Sequence, residues 1–160
     1  MRLRGADDGV YNRGVRLRYT GHMSMKKLFR RVASAAKKAA LPGIEEGTWY
    51  GTPGLLVKGK GFARMKDDDT IVFRCALEEK EVLMEAKPRT YFETDHYRGW
   101  PAVLVRGAQV TDAELVLCVK RAWMLVAPAS LRRDAARADA PPRAKKTAQK
   151  ARVKRPSRRP

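Results

Sequence analysis

The sequence predicts an α+β fold of two layers, a five-stranded, mostly antiparallel sheet packed against helices in the order α-β-β-β-α-β-β-α. Three observations predict it. Apolar residues recur every three or four positions over 25–39, short runs rich in β-branched and aromatic residues follow Pro42 and Gly43, and a helical period returns after Thr111. A chain of 160 residues suits one buried core better than two.

In the first helix Met25, Leu28, Phe29, Val32, Ala36 and Ala39 make one apolar stripe, ended by Pro42 and Gly43. The remaining positions include Lys26, Lys27, Arg30, Arg31, Lys37 and Lys38, so the helix is apolar inside and basic outside. Strands are expected near 54–58, 61–66 and 70–76, the first two joined through Lys58, Gly59, Lys60 and Gly61, the next through Asp67, Asp68 and Asp69. In the third, Ile71, Phe73 and Cys75 share one face while Thr70, Val72 and Arg74 share the other, as a half-buried antiparallel sheet requires. Residues 78–86 place two Glu in a first helical turn and are stopped by Pro88. Two more strands, 91–97 and 101–106, are expected to form a second hairpin across Arg98, Gly99 and Trp100. Thr111 and Glu114 then stand at capping-box spacing before the closing stripe Leu115, Val119, Ala122, Trp123 and Val126, which Pro128 ends.

Charge locates the boundaries. The chain carries 35 Lys plus Arg against 17 Asp plus Glu, a formal net charge of +18. Residues 132–160 hold 12 basic and two acidic side chains with Pro141, Pro142, Pro156 and Pro160 among them, and almost no large apolar group. Such a segment cannot offset its ordering entropy by burial, so a disordered basic tail is expected there. Residues 1–22 show no sustained period and are expected to be a disordered extension or a leader preceding a natural start at Met23 or Met25. The folded domain is thus expected over 23–131.

Several function classes are disfavoured. Cys75 and Cys118 have no CxxC spacing and no Cys/His cluster, so neither a metal nor a cofactor is expected. Both fall in apolar-patterned segments and read as buried reduced thiols, which with the lack of a secretory signal points to the cytoplasm. No apolar run is long enough to span a bilayer, so a membrane is not an expected partner. A nucleophile elbow, Walker loop, dinucleotide fingerprint and HExxH are all absent, and GKGFAR at 59–64 lacks the length and Ser/Thr of a P-loop. A non-enzymatic protein is expected.

The excess of cations makes nucleic acid the expected partner, because closely spaced Lys and Arg displace condensed counterions from a duplex. The candidate contacts are Arg143, Lys145, Lys146, Lys150, Arg152, Lys154 and Arg155 of the tail, Lys26, Lys27, Arg30 and Arg31 of the first helix, and Lys58, Lys60 and Arg98 at the two hairpin tips. Residues 94–101, TDHYRGWP, are the stretch most like a polar site. In a strand, however, Asp95 and His96 point to opposite faces. A structural role is expected instead, with Tyr97 and Trp100 packing the hairpin, His96 hydrogen-bonded and Asp95 paired to Arg74 or Arg106.

The segments LPGIEEGTWYGTPGLLVKGKGFARM at 41–65, TDHYRGWPAVLVRG at 94–107 and AWMLVAP at 122–128 resemble the MmcQ/YjbR family, over about 25–131. The resemblance implies a small bacterial protein of the secretion-chaperone-like or CyaY-like α+β type and carries a DNA-binding label. It implies wings at Lys58–Lys60 and Arg98–Trp100 and motif polar residues at Glu46, Thr48, Asp95, His96 and Arg98. The basic tail departs from that pattern.

The expected function is largely sequence-non-specific DNA binding, with RNA as the alternative polyanion, by a cytoplasmic, nucleoid-associated monomer. Two other classes compete: a protein-interaction or chaperone-like module, and a small-molecule site formed by Glu46, Asp95, His96 and Arg98, which requires those side chains to converge.

Overall fold

The structure, a computed structural model, describes residues 24–139. Helix α1 (Met25–Ala39) begins at Ser24, whose hydroxyl accepts from the Lys27 amide, and ends at Ala40 in the left-handed region. Four strands follow: β1 (Ile44–Trp49), β2 (Thr52–Val57), β3 (Lys60–Met65) and β4 (Thr70–Arg74). Helix α2 (Leu77–Ala86), β5 (Tyr91–Phe92), a 3-10 turn over Asp95–Tyr97, β6 (Ala102–Arg106), α3 (Asp112–Val126) and α4 (Ala129–Asp139) complete the order. The strands form one sheet, β1-β2-β3-β4-β6-β5, with every neighbouring pair antiparallel.

Six strands stand where five were expected, the additional one being β1. Its sequence, IEEGTW, buries almost nothing along an edge of the sheet, so no apolar alternation marks it. Tyr50 and Gly51 connect it to β2 with φ of 50° and 73°, and Lys58 and Gly59 connect β2 to β3 with φ of 49° and 75°. Both are turns with two successive left-handed residues, the geometry whose twist matches a hairpin.

The sheet separates two apolar clusters. On one face α1 and α3 bring Leu28, Val32, Leu115, Val119 and Trp123 onto Leu55, Phe62, Ile71, Phe73, Val103 and Val105. Trp123 is fully buried and its indole N–H donates to the Pro42 carbonyl at 3.2 Å, so its polar atom is satisfied within the core. On the other face Val72, Tyr97 and Leu104 form a smaller cluster with Phe92 and Ala102.

Two further expectations are corrected. The second hairpin is largely absent: β5 has two residues, and 95–97 coil into a 3-10 turn. Lys80, buried on α2, holds this coiled path: its ammonium takes the Tyr97 carbonyl at 2.7 Å and the Trp100 carbonyl at 3.2 Å and pairs with Glu93. The same two carbonyls also accept the local amides of Trp100 and Ala102, so their backbone partners lie within the segment rather than across a ladder. Residues 132–139, expected within the disordered tail, instead belong to α4, whose Leu131 and Ala135 pack on the core. The expectations for 1–22 and for 140–160 lie outside the described residues.

Candidate functional site

The smaller cluster floors a cleft of about 320 Å³ on the sheet face opposite α1 and α3. Trp49 and Tyr50, at the end of β1, line it together with His96, Trp100 and Pro101 of the segment that Lys80 holds. Tyr97, Val72 and Ala102 also line it, along with Arg64 from β3 and Arg74 from β4. Among the described residues, no carboxylate lines this cleft.

Local sequence explains each wall. Trp49 reaches across β2 to lie on Gly61 of β3, where a Cβ would meet the indole at 2.1 Å. A glycine here gives the ring its resting place. Trp49 and Tyr50 sit with ring centroids 5.2 Å apart. The Arg74 guanidinium lies 5.3 Å from the Trp49 ring centroid and that of Arg64 5.6 Å from the Tyr50 centroid, both within cation–π range. Arg64 is also fixed by donating to the Tyr97 hydroxyl at 2.5 Å and to the Met65 carbonyl at 3.2 Å. Opposite, the His96 and Trp100 rings are nearly parallel, 15° between planes with centroids 6.4 Å apart, while His96 meets Tyr97 edge-on. Tyr50 and Trp100 are 76% and 60% exposed, so two large aromatic rings stand in solvent at the mouth.

The residues expected to form a polar site are not brought together. His96 reaches the cleft, but Asp95 is exposed and pairs with Arg98 at 2.7 Å rather than with Arg74 or Arg106. Arg106 instead stacks on Phe92 at 3.9 Å and donates to the Pro88 and Arg89 carbonyls. Glu46 lies beside Lys37 and Leu41 in a shallow depression bordered by α1, and Thr48 is an exposed position of β1. Tyr97 is buried as expected, whereas Trp100 is exposed.

The basic candidates divide likewise. Lys26, Lys27, Arg30, Lys37 and Lys38 are exposed on α1, and none forms an ion pair among the described residues. Arg31 does not belong with them. It donates to Asp112 at 2.8 Å and to the Gly107 and Val110 carbonyls at 2.7 and 2.9 Å, which ties α1 to the loop leading into α3. Lys27, Arg30, Ser34 and Lys38 border a shallow dish of about 250 Å³ on α1. Lys58 and Lys60 are exposed at the β2–β3 turn as expected. Arg143, Lys145, Lys146, Lys150, Arg152, Lys154 and Arg155 lie outside the described residues.

The cysteines are chemically quiet. Burial, followed by repulsion from Glu79, pushes the Cys75 thiol up to about 12, and burial pushes Cys118 up to about 11. The Tyr91 hydroxyl, 3.7 Å from the Cys118 sulfur, is also pushed up, chiefly by burial.

Sequence reasoning missed Trp49, Tyr50, Arg64 and Lys80, and named Arg74 only as a partner for Asp95. The adjacent aromatics Trp49 and Tyr50 just before a glycine were the available signal. The two arginines became legible only once the strands carrying them were seen to share a face.

The YjbR family model matches residues 39–125, just over half the chain, a span that contains every residue lining the cleft but not Lys26, Lys27, Arg30 or the tail. Uncharacterized proteins of Mycobacterium bovis (Mb2600) and Mycobacterium tuberculosis (Rv2570) are each 40% identical over 52 residues, 32% of this chain. The match spans 40% of the length of those relatives. The crystal structure of Deinococcus radiodurans protein DR2400, a DUF419 domain, superposes with a TM-score of 0.51 at 16% identity, covering 72% of this chain and 89% of that one, a likeness of fold alone.

Proposed function

The chain belongs to the YjbR family, and from that premise we propose that it is a non-enzymatic, largely sequence-non-specific DNA-binding protein of the cytoplasm, at the nucleoid. The observation that carries this reading is the outer face of α1. Five cations stand exposed along one helix without a single acidic residue, while carboxylates elsewhere are occupied by Arg31, Lys80, Lys87 and Arg121. Closely spaced cations left in water neutralise phosphates and release counterions. The dish bordered by Lys27, Arg30 and Lys38 also holds the Asp112 carboxylate, which Arg31 pairs, so three cations remain there for a backbone phosphate. Lys58 and Lys60 add charge at a turn, and the basic tail supplies further salt-dependent affinity.

Duplex binding across a salt series tests this. Full-length protein should bind at low salt and weaken steeply as salt rises. Lys26→Ala with Lys27→Ala and Arg30→Ala should flatten the log–log slope by about 0.9 for each phosphate no longer neutralised. Removing residues 140–160 should weaken binding further. Absence of binding in dilute buffer refutes the proposal.

A second reading, a protein-interaction module, is favoured by Leu117, Met124 and Leu125, which stand 51%, 48% and 52% exposed on α3. Charged substitutions at Leu117 and Met124 that abolish a stable complex while leaving DNA binding intact would favour it.

A further inference from the structure

We infer that the cleft between Trp49–Tyr50 and His96–Trp100 binds one unpaired nucleotide, its base stacked on the aromatic walls and its phosphate on Arg64 and Arg74. The strand-bound form of this inference rests on the nucleic-acid reading above. The cleft chemistry does not.

The lining dictates what a complementary ligand must be. The floor is apolar, the walls are four aromatic rings, and two guanidinium groups face a described lining that contains no carboxylate. An apolar ligand would leave two cations partly desolvated without an anion, and a simple anion would leave the rings in water. A flat heteroaromatic ring bearing a phosphate satisfies both, because every base offers a π face to aromatic side chains while Arg offers phosphate a planar fork of donors.

Size narrows the choice. About 320 Å³ lies at the small end of the range of about 300–1,000 Å³ typical of ligand sites, room for one nucleotide rather than a run of them. A base within a duplex cannot enter, since its faces are covered by its neighbours in the stack. Single strands and free nucleotides can. The cleft also opens away from the cations of α1, on the other side of the sheet. It therefore cannot serve as an extension of the α1 surface against the same stretch of duplex.

The test uses the full chain and follows tryptophan fluorescence, since Trp49 and Trp100 line the cleft while Trp123 is buried in the other cluster. The probes are a single-stranded oligodeoxynucleotide, its duplex, adenosine monophosphate and inorganic phosphate. The expected result is quenching by the single strand, absent with the duplex and with phosphate alone. Trp100→Ala should weaken single-strand binding about tenfold, as loss of one stacked base does, and Arg74→Ala about tenfold through loss of a charge-assisted contact to the phosphate. Trp100 is exposed enough to be replaced without disturbing the core, and His96→Ala serves as a second variant should Arg74→Ala fail to fold.

Quenching by adenosine monophosphate that Arg74→Ala and His96→Ala abolish with both reporter tryptophans in place, with no binding of any oligonucleotide, would uphold the cleft chemistry and sink the polynucleotide reading. Duplex binding lost with the α1 cations, alongside single-strand binding that Trp100→Ala and Arg74→Ala leave unchanged, would overturn the inference and keep the DNA-binding proposal. Absence of quenching by both the single strand and the mononucleotide also overturns it.

Discussion

Lys80 and the two cysteines show how a few buried groups set the chemistry of this domain. Lys80 is 2% exposed and its ammonium satisfies the Tyr97 and Trp100 carbonyls as well as Glu93, so one cation holds the segment that carries His96 and Trp100. Breaking a buried pair by removing one partner costs about 3–5 kcal/mol, and Glu93 retains some access to water. Lys80→Ala should therefore lower unfolding free energy by about 3 kcal/mol in a urea titration, with loss of the single-strand quench even where the protein stays folded. At Cys75 and Cys118 burial suppresses the thiolate. With pKa values of about 12 and about 11, neither thiol should react with maleimide at pH 8 in native protein, whereas both should react in denaturant. Labelling of the native state within minutes would contradict this. Lys80 could not have been found from sequence: a lysine among glutamates in EEKEVLMEA reads as a solvated helix position, and only the path of residues 93–100 reveals its partners.

Among the elements, α3 is the one whose start is most fully specified. Thr111 and Glu114 exchange side-chain-to-backbone hydrogen bonds at 3.2 and 3.0 Å, and Glu114 also pairs with Lys87 from the end of α2. The hydrogen bond from Lys87, followed by that from the Thr111 amide, lowers the Glu114 pKa below its ordinary value. Such a group stabilises the fold above the ordinary carboxylate pKa of about 4.3, and its contribution is lost as pH falls through the folded value. Glu114→Gln should cost about 1 kcal/mol at pH 7, a difference that closes in acid when thermal melts are compared from pH 7 to pH 2. A constant gap across that range would refute the assignment. This capping box was legible from the spacing of two residues, as was α1 from its apolar stripe. Strand β1 was not, because an edge strand reading IEEGTW draws its hydrogen bonds from β2 and little from burial. Nor was the 3-10 turn, whose last carbonyl is held by a side chain 15 residues earlier in the chain than Asp95.

For the molecule as a whole, the decisive fact is that the sheet separates two surfaces of different chemistry, cations on α1 and aromatic rings with arginines on the far face. Charge was readable as composition, so the sequence revealed the first surface. The second was hidden because its residues come from β1, β3, β4 and the 95–101 segment, and share a face only through the strand order β1-β2-β3-β4-β6. The two should respond differently to salt. Raising salt from about 50 to about 200 mM should reduce duplex affinity by at least about tenfold while changing mononucleotide quenching by less than about threefold, since one phosphate releases few counterions. Equal sensitivity in parallel titrations would show that one surface serves both. Gly61 carries a final consequence. By giving the indole of Trp49 a seat on bare backbone, it settles that ring's orientation when the chain folds, so an incoming guest meets a finished wall and forfeits little side-chain freedom.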